Sequence, residues 1–328
     1  MKIAILDDYQ DVVKGLDCFP LLNDFDVTIY TDPPTSLDEL VERLFDKNAI
    51  VLIRERTEID RSLLSRLPNL KLISQTGKIS KHLDLDACNT YQVAVAEGVS
   101  SPVAPSELCW SMILAASRHL VPYVTNLKHG FWQYSGNLGL GRTLNGLTMG
   151  IWGYGNIGRR IAQYAKAFGM NVFIWGSAQS REKAASHGFG AASTRHALFS
   201  NSDVLSLHLR LSEATRGCVT YDDLQRMKKD ALFVNISRAE LIEPNALFRS
   251  LSAGRPGFVA IDVYEKEPAK REAEPLLNIP NVLATPHIGF VEKTSYELYF
   301  KVAFENVVSF FDGKPKNIAN LDKIKLYI

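Results

Sequence analysis

The chain has no apolar run approaching the roughly 18 residues that a membrane-spanning helix needs, although 46% of its 328 residues are hydrophobic. It has almost no net charge. Its 37 basic and 36 acidic side chains leave +1, which argues against a nucleic-acid partner held by bulk electrostatics. It has only four cysteines, Cys18, Cys88, Cys109 and Cys218, and no C-x-x-C pair. Thiols so scattered suit a reducing compartment and argue against a disulfide framework or a zinc site. No metal ligand set is expected. The start, MKIAILDDYQ, places only four apolar residues between Lys2 and Asp7, too few for a signal-peptide core. These absences together predict a soluble, cytoplasmic protein.

What is present is a regular alternation of short β-rich runs with helical patterns. The length suits about two domains. Strands are expected at 2–6, 26–30, 49–53, 71–74 and 92–95, and again at 148–152, 171–175, 203–207, 231–235, 258–262 and 281–285. Most are apolar on both faces, which points to parallel sheets covered by helices on each side. The fold class is therefore α/β, with two doubly wound parallel-sheet domains. Between the two series lies GVSSPVAPS (98–106), a linker-like stretch whose Ser106 precedes an apolar helix over 107–120. A last helix, 292–311, follows the second series and is free to return to the first domain. In such folds ligands bind beyond the carboxyl ends of the strands.

One further absence matters more. Gly153-Tyr154-Gly155-Asn156-Ile157-Gly158 follows a predicted strand and opens a predicted helix, the context in which G-x-G-x-x-G binds a dinucleotide pyrophosphate. Gly153, Gly155 and Gly158 permit a tight turn, close ligand approach and close helix packing. The amides at Asn156 and Ile157 face the phosphate charge. Yet no acid stands at the end of NVFIW, where the ribose hydroxyls are normally received. Gly176 and Ser177 stand there, with Arg181 just beyond, and Glu182 is the first acid after the loop. Small residues plus a cation leave room for a ribose 2′-phosphate. The cofactor is expected to be NAD or NADP, with NADP favoured.

Three more segments fall at strand ends of the second series: NISRAEL with Arg238, AIDVYEKEP with Asp262 and Glu267, and TPHIG with His287. A histidine supplies a proton near neutral pH, a carboxylate beside it favours the imidazolium, and an arginine forks onto a substrate carboxylate. With QTG at 75–77, LNGLTMGIWGYGNIG and SLHLRLSEATRG in order, the chain resembles the D-isomer-specific 2-hydroxyacid dehydrogenases over essentially its whole length. That family includes phosphoglycerate dehydrogenases and hydroxypyruvate and glyoxylate reductases.

The resemblance implies a flavodoxin-like substrate domain over 1–103 and 286–328, a Rossmann domain over 104–285, and a cleft between them. It implies hydride transfer between a nicotinamide dinucleotide and a small D-2-hydroxy or 2-oxo acid, with Arg238, Glu267 and His287 catalytic. Asp262 would meet the nicotinamide carboxamide, His208 would lie near the cofactor, and amides of Gly77, Lys78 and Ile79 would hold the substrate carboxylate. A homodimer is implied, for which helix 107–120 is the expected contact. An alternative is a dinucleotide-sensing scaffold of corepressor type without turnover. The chain departs from the family at Ile79 and Ala239, where glycine is usual, and at Lys81 and Arg210.

Overall fold

Runs such as AIVL and LFVN bury both faces, so only helices on either side of a parallel sheet can cover them. The computed structural model, which describes residues 1–325, holds two such sheets, and every strand pairing in them is parallel. The chain divides into two compact units, Met1–Ser101 with the segment from Val291 onward, and Pro102–Phe290.

In the first unit the strands are β1 (Lys2–Ile5), β2 (Asp26–Ile29), β3 (Ala49–Leu52), β4 (Leu72–Gln75) and β5 (Ala94–Ala96). Their order, β2-β1-β3-β4-β5, is the flavodoxin-like one. Ser36 caps the helix Leu37–Leu44 by accepting the Glu39 amide at 3.2 Å, and Leu40 and Leu44 join Ile50 and Leu52 in one buried apolar cluster. The helix Lys293–Phe311 belongs to this unit. It buries Tyr299, Phe300, Ala303, Phe304 and Val307, and the Ala303 carbonyl accepts the hydroxyl of Ser74 on β4 at 2.8 Å.

The second unit contains β6 (Thr148–Trp152), β7 (Asn171–Trp175), β8 (Gly190–Ala191), β9 (Val204–Leu207), β10 (Leu232–Asn235), β11 (Phe258–Ile261) and β12 (Val282–Ala284). The order β12-β11-β10-β9-β6-β7-β8 is the doubly wound dinucleotide-binding order with one added edge strand. β8 has two exposed residues and so no hydrophobic pattern to announce it.

Among the boundaries that differ from the sequence reading, two bear on the site. The helix expected over 107–120 runs Val103–Ser117. Its Ser106 lies inside it, with the hydroxyl donating to the Pro102 carbonyl at 2.6 Å. His119 then turns left-handed (φ 51°) before a second helix, Leu120–Lys128. Residues 286–290, placed with the first domain above, pack with the second unit, because Asp262 binds the amides of Ile288 and Gly289.

Candidate active site

The turn after β6 is shaped by three glycines with two different jobs. Gly153 has φ +105°, and a Cβ there would stand 2.4 Å from the His208 carbonyl oxygen. A Cβ at Gly158 would stand 2.1 Å from the Gly153 carbonyl oxygen. Both are fixed by the protein's own packing. Gly155 is different, since a Cβ there would meet nothing within 4 Å. Gly155 precedes the helix Asn156–Ala167, and no side chain caps the helix amides; the Asn156 carboxamide oxygen instead takes Arg159 at 2.7 Å. An open flank beside uncapped amides fits a pyrophosphate.

The neighbouring strand end supplies the second part. The Gly153 amide donates to the Trp175 carbonyl at 2.8 Å, so the end of β7 lies against the glycine turn. Gly176 sits between, its Cβ direction 4.0 Å from the Gly153 Cα and 3.2 Å from the Ser180 Cβ. Ser177 caps the helix Ala178–Ser186, and its hydroxyl lies 3.1 Å from that of Ser180. The Arg181 guanidinium stacks over the Trp175 ring at 4.8 Å, and its Nε is buried with no hydrogen-bond partner among the described residues.

His208 follows β9. Its Nε2 lies 2.9 Å from the Ser206 hydroxyl, while Nδ1 is enclosed without a hydrogen-bond partner among the described residues. Burial pushes its pKa down to about 3, so the ring is neutral and no proton donor at neutral pH. The same enclosure raises the thiol of Cys109, 3.5 Å from Ser206, to about 12.

Arg238, Asp262 and His287 follow three adjacent strands. β10 pairs with β11 through Asn235 and Ile261, and β11 with β12 through Ile261 and Ala284. The Asn235 side chain shapes the turn, donating to the Arg238 carbonyl at 2.8 Å and accepting the Ser237 amide at 3.0 Å. Arg238 donates one guanidinium nitrogen to the Ser237 carbonyl at 2.6 Å. Ala239 starts the 3-10 turn Ala239–Leu241 and is not among the positive-φ residues, so glycine is not required there. Glu267 and His287 are joined by a 2.6 Å Oε2···Nδ1 bond; Glu267 Oε1 accepts the Tyr264 amide at 3.1 Å. The imidazole edge packs on Phe290. The carboxylate orients the ring and leaves Nε2 for a reacting group.

Asp262, expected to meet a carboxamide, is held at the end of β11 by its own chain. It is 1% exposed and accepts the Thr285 hydroxyl (2.7 Å) and the amides of Ile288 (2.8 Å) and Gly289 (2.9 Å). Burial raises its pKa, opposed by these hydrogen bonds.

The segment Gly77–Ile79 follows β4 in the first unit, and part of it is already engaged. Glu97 accepts the Ile79 amide at 3.1 Å and the Lys78 ammonium at 2.9 Å. The Ile79 amide, expected at the substrate carboxylate, is thus bonded to Glu97. A Cβ at Gly77 would stand 2.3 Å from the Arg54 guanidinium, the far end of a flexible side chain, and Ile79 has no positive φ. Arg54, in IRER after β3, carries no motif, and its place at a strand end is its signal in the sequence.

An imidazole oriented by a carboxylate, on the same sheet as a turn open to a dinucleotide, is the equipment of a pyridine-nucleotide dehydrogenase. The model of the D-isomer specific 2-hydroxyacid dehydrogenase NAD binding domain matches residues 110–289, and the chain belongs to that family of oxidoreductases. A solved structure of a phosphoglycerate oxidoreductase from Vibrio cholerae is similar at 58% identity and a TM-score of 0.94, covering 95% of this chain and 99% of that one. A glyoxylate reductase from Aeropyrum pernix is 32% identical over 90% of this chain and 89% of its own. A D-3-phosphoglycerate dehydrogenase from Methanocaldococcus jannaschii is 30% identical over 88% of this chain, which spans 54% of that relative's length. Among the described residues no helix is long and apolar enough to cross a membrane.

Proposed function

We propose that the protein reduces a small 2-oxo acid to the D-2-hydroxy acid with a reduced nicotinamide dinucleotide. The observation that carries this reading is the 2.6 Å Glu267–His287 bond on the strand ends of the dinucleotide-binding sheet. The reduced cofactor supplies the hydride when bound. His287, with Nδ1 on Glu267, gives the proton from Nε2 to the alkoxide oxygen, and Glu267 stabilises the imidazolium before transfer. Arg238 grips the substrate carboxylate and carbonyl oxygens through its planar fork. With Ile79 tied to Glu97, the carboxylate contacts of the 77–79 loop fall to the amides of Gly77 and Lys78. Gly153, Gly155 and Gly158 with the amides of Asn156 and Ile157 hold the pyrophosphate, and His208 Nδ1 has its hydrogen-bonding capacity left for the cofactor. Residues 1–101 and 291–328 serve as the substrate domain and 102–290 as the cofactor domain. Nothing found favours a scaffold without turnover. The four free cysteines suit the cytoplasm.

The cofactor is NADP in preference to NAD. The support is Arg181, braced on Trp175, beside the hydroxyls of Ser177 and Ser180 and with no acid in the first turn of that helix. We expect a higher kcat/KM with NADPH than with NADH. Arg181→Ala should lower the NADPH value by about tenfold to a hundredfold, as for loss of a charge-assisted hydrogen bond of about 1.5–3 kcal/mol. A clear NADH preference in the unaltered protein would refute this choice.

The protein is a homodimer. The helix first expected to mediate it buries Cys109, Trp110, Met112 and Ile113 in the core of its own unit. The next helix, Leu120–Lys128, has no fully buried residue. It exposes Leu120, Val121, Val124 and Leu127, and Phe131, Trp132 and Leu140 follow. So many large apolar side chains in one exposed stretch mark an interaction surface. Light scattering at micromolar concentration should give twice the chain mass, and Val124→Glu with Leu127→Glu should give monomers. A monomeric unaltered protein would refute the dimer.

A further inference from the structure

Three short helices of the second unit, Arg195–Asn201, Tyr221–Gln225 and Ala246–Ser252, stand around a cleft of about 490 Å³. The volume is that of a small-molecule site, but the walls are charged. Arg195, Arg226 and Arg249 all line it, and like charges gathered in one recess repel unless an anion stands among them. Two of its carboxylates are committed to the chain. Asp223 is 1% exposed; its Oδ1 holds the Arg195 Nε at 3.1 Å, and its Oδ2 takes the amide and the hydroxyl of Thr220, each at 3.0 Å. Glu243 accepts the Tyr221 amide at 3.1 Å. Arg249 stacks over the Tyr221 ring at 4.6 Å. Neither Arg249 nor Arg226 has an ion-pair partner among the described residues, and neither has the exposed Asp222. Gln225 braces two of the helices by donating to the Ser250 hydroxyl at 2.7 Å, so the recess is preformed.

The cleft is joined to the Arg238 turn through the backbone. The segment that leads into Tyr221 is zipped to the one that begins at Arg238. The Gly217 amide donates to the Glu240 carbonyl, the Val219 amide to the Leu241 carbonyl and the Glu243 amide to the Val219 carbonyl, each at 2.9 Å. We propose that this cleft binds a small polyanion, a metabolite carrying phosphate or several carboxylate groups, and that its occupancy adjusts the Arg238 turn. The forks of Arg226 and Arg249 offer the paired N–H donors that such oxygens take, and Arg195 adds a third positive charge. Arg249 meets the anion from the face of Tyr221, so binding acts on the residue whose amide Glu243 holds. The effect on turnover rests on the reading of Arg238 as the substrate grip; the binding itself does not.

The test is calorimetric titration of the full-length protein, saturated with NADPH so that the pyrophosphate turn is filled. The probes are inorganic pyrophosphate and citrate at constant ionic strength. We expect saturable binding, weakened about tenfold or more when Arg226→Ala and Arg249→Ala are combined, as for lost charge-assisted hydrogen bonds. Asp222→Asn removes a negative charge from the lining and should tighten binding about twofold. Binding of one probe alone assigns the site to that oxygen chemistry. The bound anion should also change kcat/KM for a 2-oxo acid by about fivefold or more, and the double variant should lose that response while keeping its basal rate. No saturable binding, or equal affinity in the double variant, would overturn the site. Binding without a kinetic response would overturn the link to Arg238. If the unaltered protein turned over no 2-oxo acid, the reading of Arg238 would fall while the titration still decided the cleft.

Discussion

Replacing His287 with alanine is expected to lower kcat by about 10²–10⁴, the usual contribution of a positioned general acid, with little change in cofactor affinity. The affinity should survive because the pyrophosphate turn, Gly153 to Gly158, lies on β6 and the helix after it, whereas His287 lies beyond β12 at the far edge of the sheet order. The variant also removes the ring to which Glu267 Oε2 is bonded. An unpaired carboxylate at 31% side-chain exposure is solvated without great cost, so the fold should persist. Steady-state kinetics with a fluorescence titration of the reduced cofactor checks both halves. Near-normal kcat would remove the proton-donor role.

Arg238→Lys is the second large effect. The lysine keeps the charge but not the planar fork, which is what grips a carboxylate and a neighbouring carbonyl together. We expect kcat/KM to fall by about 10²–10³, as when one transition-state donor is lost. The backbone should be little disturbed, because Asn235 and Ser237 bond the turn at three points besides the guanidinium's bond to the Ser237 carbonyl. The loss should therefore appear without a change in thermal midpoint. Unchanged kinetics would mean that the carboxylate is gripped elsewhere.

The elements with clear patterns are legible in the sequence. β6, β7 and β10 begin or end within a residue of the runs TMGIW, NVFIW and ALFVN, because a strand buried on both faces must be apolar throughout. Ser36 reads correctly as a cap because capping is a local bond. Motifs name Glu267 and His287, although only coordinates supply the bond between them. What escapes sequence reading depends on tertiary partners. The apolar helix before His119 looks like an interface from composition alone, yet its apolar residues meet the unit's own core, and the exposed ones come after a break at His119, where Pro122 in the first turn of the next helix is the local signal. Lys78 reads as part of the substrate loop, and its pairing with Glu97 is visible only in the fold. Gly77 reads as part of a ligand loop, whereas its missing Cβ makes room for Arg54, a residue more than twenty positions earlier. Asp262 carries the same lesson, since its donors come from the strand-end segment that follows the next strand.

The most direct measurement is reduction of glyoxylate, hydroxypyruvate, pyruvate and phenylpyruvate by the unaltered protein with NADPH and with NADH. It is followed by the loss of near-ultraviolet absorbance, with the handedness of each chiral product determined. Turnover of at least one of these acids to a product of the D configuration is the predicted result. An L product, or no turnover across the panel with either cofactor, would contradict the assignment of Arg238, Glu267 and His287.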